Sequence, residues 1–328
     1  MLEIRKIDLQ LFSADVNPIN VTTQDSMSPT MKTFYDTTLL ENAREAMVFT
    51  QFGKKQPMHG NKVEWRKFNT FAKALTPLTE GVIPTGQTFG MTKIEGETTQ
   101  HGDFTAVSDR LELESYDDVI FGATEEMGAA EGETYDTLTR NILVAGNSFA
   151  YCPDANGTRP ESRAALTTAH ILTPDEVSRA VTWLKKNKAP KINGSYVALI
   201  HPSVAYDLRS SKAWEDYHRY NDVAPIFKGE IGELHGCRFI ESNECKIWKD
   251  GGTAVYATLF LGKDAFGILD PEGEGMEMII KTKEQIGGPL NQFGTIGYKF
   301  CHGAKILYQE RMLRVESGSS MGDVDEAN

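Results

Sequence analysis

Val63-Glu64-Trp65-Arg66-Lys67-Phe68 and, well downstream, Met91-Thr92-Lys93-Ile94-Glu95 both alternate with the period of a β-strand. In neither stretch does the alternation set an apolar face against a polar one. Between them stand Pro77, Gly81, Pro84, Gly86 and Gly90, which are residues of turns and not of a third strand. Residues 54–103 therefore read as a two-stranded ribbon with a long tip. An isolated two-stranded ribbon is marginal in water, because it has no face of its own to bury. It needs something to lie on, and the natural support is a partner subunit.

Around the ribbon the chain divides into readable segments. Residues 1–27 are aperiodic, with Pro18 and Val21-Thr22-Thr23-Gln24, and are expected to form an extended arm. Ser28-Pro29 suits a helix start, with serine at the N-cap and proline in the first turn. Met31, Tyr35, Leu39, Ala43 and Met47 then recur at helical spacing, and Gly53 marks the stop. Phe104 to Asp109 reads as a strand leading into a turn. A long helix is predicted from about Asp117 to Val144, with Ile120, Ala123, Met127, Ala130, Thr134, Leu138 and Ile142 as its buried stripe. Its acids Asp117, Asp118, Glu125 and Glu126 lie toward the N-terminal half, where the dipole favours them. Gly122, Gly128 and Gly132 each cost about 1 kcal/mol relative to alanine, so this helix needs tertiary packing to persist.

Residues 147–172 read as a loop, and the chain beyond them has an α/β pattern. Thr173-Pro174-Asp175-Glu176 predicts a capping box, and Val177, Ala180, Val181 and Leu184 the apolar face behind it. Tyr196-Val197-Ala198-Leu199-Ile200 is a continuous apolar run, as in a strand buried on both faces. Pro202 opens another helix. Further strands are expected at Cys237–Ile240, Val255–Leu261, Met276–Ile280, Thr295–Cys301 and Lys305–Val315. Residues 317–328 have the composition of a tail.

The chemistry of the chain is mostly negative. A net charge of −12 argues against tight binding to nucleic-acid phosphates, without excluding a protein that encloses nucleic acid. The four cysteines (Cys152, Cys237, Cys245 and Cys301) form no C-x-x-C pair and suit a reducing cytoplasm. Met1 to Lys6 is not followed by the apolar run of a signal peptide, and no apolar stretch approaches the roughly 20 residues that span a bilayer. There is no G-x-x-x-x-G-K-[ST] loop, no H-E-x-x-H and no G-x-S-x-G. His235-Gly236-Cys237 and Cys301-His302 lack third and fourth metal ligands at supporting spacings. His201, just after the buried strand, stands where an α/β enzyme could hold a catalytic residue. Capping the helix that begins at Pro202 is the reading preferred for it, since no companion nucleophile is evident. The sequence thus calls for no catalytic residue, no cofactor and no metal.

A set of stretches, taken in order, carries a resemblance. Phe34-Tyr35-Asp36-Thr37-Thr38-Leu39-Leu40-Glu41-Asn42-Ala43-Arg44 precedes Val63-Glu64-Trp65-Arg66-Lys67-Phe68, then Thr76-Pro77-Leu78-Thr79-Glu80-Gly81 and Asp103-Phe104-Thr105-Ala106-Val107-Ser108-Asp109. Ile200-His201-Pro202, Gly229-Glu230-Ile231-Gly232 and Pro289-Leu290-Asn291-Gln292 come after these. The set resembles the major capsid proteins of tailed bacteriophages, specifically the N4-type branch, over nearly all of residues 28–316. Leu9-Gln10-Leu11-Phe12-Ser13 also resembles a short leader found on capsid proteins of phages of Gram-positive hosts.

The resemblance implies an α+β chain with the HK97-like capsid fold. Residues 1–27 would be the N-arm, 28–53 a helix and 54–103 the extended E-loop. Residues 104–160 and 287–316 would make the P-domain, with its spine helix near 117–144. Residues 161–286 would make the α/β A-domain, and 317–328 a C-terminal tail. It further implies a structural protein of the virion, assembled in the bacterial cytoplasm into pentamers and hexamers of an icosahedral shell around double-stranded DNA. Its partners would be copies of itself, a separate scaffolding protein, a portal and possible decoration proteins, with no membrane. Subunit-interface candidates are Trp65, Phe68, Phe71 and Phe89 in the E-loop and Trp214, Tyr217 and Phe227 in the A-domain loop. Nothing singles out Lys73 or Lys93 for a covalent cross-link. Two other classes stay open: a nanocompartment (encapsulin) shell of the same fold holding a cargo enzyme, and a hydrolase-like enzyme centred on His201.

Overall fold

A computed structural model of the chain describes residues 47–328 except 59, 61, 84, 115–118, 213, 215–229, 251, 272–274, 287–289 and 323–324. The expected arm 1–27 and the expected helix from Ser28 as far as residue 46 lie outside the described residues. The end of that helix is not α-helical: Phe49–Phe52 form one 3-10 turn before Gly53.

In chain order the elements are β1 (Lys54–Met58), β2 (Lys62–Phe68), β3 (Met91–Glu97) and β4 (Thr99–Ser108), then helices α1 (Asp109–Glu114) and α2 (Val119–Val144). Next come β5 (Phe149–Tyr151), α3 (Pro174–Lys186), β6 (Tyr196–Ile200), α4 (Pro202–Arg209), β7 (Glu230–Leu234), β8 (Cys237–Glu241), β9 (Ile247–Asp250), β10 (Thr253–Leu261) and β11 (Phe266–Pro271). The chain continues through β12 (Glu277–Lys281), β13 (Phe293–His302), β14 (Ala304–Ile306) and β15 (Met312–Ser317).

The largest sheet has the order β5-β15-β10-β6-β8-β7, with β9 added to β10. The apolar run of β6 fits its place: it is antiparallel to β10, parallel to β8, and buried at all five residues. A strand covered on both faces has no polar side to alternate with. Tyr196, Ala198 and Ile200 pack with Val177, Val181 and Leu184 of α3 in one core. Val197 and Leu199 point the other way, into a second core with Phe49, Leu143 and Phe266. The sheet is thus the partition between two cores. On α3 the expected capping box does not form, because Thr173 makes no side-chain cap bond. Glu176 turns instead to Arg159, at 2.6 and 2.7 Å, and is buried there. A charge-assisted bidentate pair outcompetes a neutral cap.

Two smaller sheets complete the body. β1 runs parallel to β11, which is antiparallel to β14. The expected strand over 305–315 is split, because the N–H groups of Leu307 and Tyr308 both donate to Ala265 O (2.9 and 3.0 Å) and turn the chain. β14 stays in the small sheet while β15 crosses to the large one. The third sheet is β12-β13-β4, and α2 packs on it through Ile120, Ala123 and Met127 against Met278 and Ile296. β12, expected within the 161–286 unit, therefore hydrogen-bonds with β13, in the sheet on which α2 packs.

The spine helix itself differs from its predicted face. Ile120, Met127, Thr134 and Ile142 are only half-buried, whereas Thr124, Glu131, Asp136, Thr139, Arg140 and Leu143 lie deepest. The buried face is displaced by about one residue, roughly 100° around the helix. Tertiary hydrogen bonds explain the turn. Asp136 accepts from the N–H groups of Val48, Phe49 and Thr50 at 2.8, 3.2 and 3.2 Å. Thr139 Oγ1 lies 2.9 Å from His302 Nε2, and Arg140 donates to Glu244 O at 2.8 Å. The segment expected as a tail is tied down: Tyr256 and Ser203 hydroxyls donate to Asp325 (2.6 and 2.9 Å), and Ile247 N–H donates to Asn328 Oδ1 (2.9 Å).

Candidate functional site

β2 and β3 pair in antiparallel register from Lys62↔Glu97 to Phe68↔Met91 and join no other strand among the described residues. Their outer surface is a ladder of ion pairs. Lys93 Nζ lies 2.8 Å from Glu64 and 2.7 Å from Glu95, Arg66 lies 3.1 Å from Glu64, and Lys62 pairs with Glu97. Hydrogen bonds from Lys93 hold the Glu64 carboxyl below its ordinary range, and Glu97 raises Lys62 by the same means. Such exposed pairs contribute little stability singly, so they shape the stem more than they fasten it. The root is fixed differently: the Trp65 ring fills space that Gly96 and Gly267 leave open, where an added Cβ would lie 2.6 and 2.9 Å from the ring. Trp65 is thus half-buried against its own chain, and its buried indole N–H has no partner.

Beyond the stem the chain makes a closed tip. Asn69 N–H donates to Gly90 O at 2.9 Å, and the Gln87 side-chain amide exchanges two 2.8 Å hydrogen bonds with the Ala72 backbone. A turn from Thr79 to Val82 needs Gly81, whose φ is +78°, a conformation that other residues adopt at a cost. Phe89 packs on Phe68 and Phe71, with ring centroids 5.0 and 5.9 Å apart. The tip is apolar and, among the described residues, uncovered. Ile83 is 93% exposed, Leu75 83%, Leu78 78% and Phe89 63%, while Phe68, Phe71, Val82 and Met91 are each at least half exposed. The strands differ from expectation: Val63, Trp65, Ile94 and Gly96 share one face, which is half-buried with Trp65 and Gly96 against Gly267 and Leu269 of β11, while the larger exposed apolar surface is on the loop between the strands. A concentrated apolar surface rimmed by charge marks a surface that meets another molecule.

The sequence-derived candidates fall out unevenly. Phe68, Phe71 and Phe89 are brought together at the tip. Trp65 stands apart at the root. Trp214 is a core residue, 6% exposed, with its ring 5.7 Å from Phe239, so its indole is not free surface. Tyr217 and Phe227 lie outside the described residues. Leu75, Leu78, Val82 and Ile83 join the exposed tip without having been candidates from the sequence. Their irregular spacing carries no period, and only the count of apolar residues in a Pro/Gly-rich loop could have flagged them.

The chemistry-bearing residues are engaged structurally. His201 Nδ1 accepts from Ser203 N–H at 3.2 Å, so it caps α4. Its ring stacks on Tyr256 at 4.9 Å, and burial lowers its pKa. Cys152, Cys237 and Cys245 are buried, and burial pushes their thiols up, away from the reactive thiolate. Among the described residues no group of three or more His, Cys, Asp or Glu is placed to hold a metal ion.

A family model described as phage capsid protein matches residues 165–268, which run from just before α3 into β11. No curated protein sequence matches the chain. Among solved structures, the capsid of the cyanophage P-SCSP1u aligns with a TM-score of 0.64 at 14% identity, over 84% of this chain and 89% of that one. The capsid asymmetric unit of cyanophage Pam1 also gives 0.64, at 11% identity over 91% and 95%. The capsid of Ralstonia phage GP4 gives 0.61, at 14% identity over 82% and 87%. With its ribbon, spine helix, flanking sheet and α/β unit, the chain has the HK97-like fold of phage capsid subunits.

Proposed function

We propose that this chain is the major capsid protein of a tailed bacteriophage, a structural subunit and not an enzyme. The observation that carries the reading is the exposed apolar tip on a charged stem, which no other described residue covers. A neighbouring subunit supplies that cover, and the same contact repeated around pentamers and hexamers closes an icosahedral shell. The net charge of −12 suits a wall that encloses double-stranded DNA without gripping it. The matched family and the capsid folds support this reading. His201, engaged as a helix cap, leaves the hydrolase reading without its base. No feature favours the nanocompartment reading, since the matched family model is that of phage capsid proteins. Membership of the N4-type branch, a separate scaffolding protein, a portal, decoration proteins and assembly in the host cytoplasm belong to the same proposal.

The test is expression of the full chain, alone and with its scaffold, followed by gradient sedimentation and negative-stain microscopy. Closed shells of uniform size are expected in at least one condition. A product that remains monomeric in both would overturn the reading, and a shell that co-purifies with one cargo enzyme would favour the nanocompartment.

A further inference from the structure

The buried polar row of α2 contains one group without a partner. Thr124 donates to Ile120 O at 2.7 Å, and Asp136, Thr139 and Arg140 have the partners described above. Glu131 is 0% exposed, and neither carboxyl oxygen has a hydrogen-bond partner. It lies one helical turn before Tyr135, whose ring packs at 5.3 Å on Phe300 and edge-on at 4.8 Å to His302 of β13. Residues four apart share a helix face, so Glu131 belongs to the face pressed on the β12-β13-β4 sheet.

The surroundings offer its charge no relief. β13 presents Tyr298 and His302 to α2, and His101 of β4 stacks on Phe300 at 5.7 Å. The turn Phe49–Phe52 presents no titratable side chain, and Lys305 of β14 is exposed. On the helix itself stand Tyr135, Asp136 and Arg140, but Arg140 is taken by Glu244 and Asn141, and His302 by Thr139. A carboxylate buried without a donor is strongly disfavoured, so the neutral acid is the stable form there.

We infer that Glu131 is a proton-operated lock on the spine helix: its uncharged carboxyl lets α2 seat on the sheet, and loss of the proton to alkaline solvent forces that face apart. The inference stands on the packing of the subunit and holds whatever the subunit assembles into. Burial pushes the Glu131 pKa up from 4.5 to about 8. The folded state therefore keeps a proton that the unfolded state has lost. Stability falls as pH rises from about 4.5 to about 8 and levels off above that.

The experiment is urea unfolding of the full chain at pH 6 and pH 9, with Glu131→Gln beside the wild type, and hydrogen exchange across residues 119–144. Between those pH values the wild-type unfolding constant is expected to rise about 100-fold more than that of the variant. Exchange over 119–144 is expected to accelerate in the wild type beyond its rise in Glu131→Gln. Glu131→Leu gives the same flattening should the glutamine amide itself destabilise the fold. Infrared difference spectra of the wild-type chain test the idea without a variant, through a protonated-carboxyl band present at pH 7 and lost by pH 9. Parallel pH profiles in wild type and variants, or absence of that band at pH 7, overturn the inference.

Discussion

Phe89→Ser is expected to separate the proposed assembly from folding. Phe89 is 63% exposed in the subunit. A phenylalanine buries roughly 150–250 Å² when covered, so about 130 Å² of this ring remains open to water. At roughly 25 cal/mol per Å², its coverage by a neighbour is worth about 3 kcal/mol per contact, or on the order of 100-fold in association. Within the subunit the same change removes only the ring contacts to Phe68 and Phe71, at 5.0 and 5.9 Å, which are worth about 1 kcal/mol. Two assays read the two quantities. Light scattering against protein concentration gives the critical concentration for shell formation, and calorimetry gives the melting point of the unassembled chain. The expected outcome is a critical concentration raised on the order of 100-fold with a melting point lowered by no more than about 3 °C. An unchanged critical concentration would mean that the tip contributes nothing between subunits. A collapse of the melting point would mean that the ring is part of the subunit's own core, and either result would refute the separation of assembly from folding.

Three further outcomes are expected. Asp136→Ala leaves the N–H groups of Val48, Phe49 and Thr50 without their acceptor, and should cost about 3 kcal/mol or more in urea unfolding; a loss under about 1 kcal/mol would mean that the turn before the ribbon holds itself. Gly96→Val puts a branched side chain where even a Cβ meets the Trp65 ring at 2.6 Å, and should displace the ring and shift its fluorescence at a cost of roughly 1–3 kcal/mol. Burial lowers His302 from 6.5 to about 4, so the folded state resists a proton that the unfolded chain accepts. The His302 contribution is then full above about pH 6.5 and is lost, by roughly 3 kcal/mol, as pH drops to about 4, and His302→Gln should flatten that slope in acid unfolding measurements.

The sequence disclosed most where one physical rule acted alone. The apolar run of Tyr196–Ile200 could only be a strand covered on both faces, and it divides two cores as such a strand must. His201 followed by Pro202 read as a cap, and the Ser203 N–H at 3.2 Å makes it one. The ribbon was legible because β2 and β3 alternate and a Pro/Gly-rich loop separates them, but the half-buried side of Val63, Trp65, Ile94 and Gly96 was not, since it depends on β11 far off in sequence. Where two demands competed, local pattern failed. Glu176 forgoes the capping box for Arg159, and α2 turns its polar residues inward because Asp136 and Arg140 have distant backbone groups to satisfy. The break at Leu307 and Tyr308 depends on a carbonyl at Ala265, far off in sequence. The tip escaped because Leu75, Leu78, Val82 and Ile83 follow no period. Their meaning lies in being exposed together, which no linear pattern encodes.

A reconstruction of the assembled particle by electron cryomicroscopy would show where residues 68–91 lie in the shell. Phe68, Phe71, Leu75, Ile83 and Phe89 are expected to be covered by an adjacent subunit throughout the shell. A shell whose tips stand free in solvent, or one whose subunits join without the ribbon, would contradict that expectation.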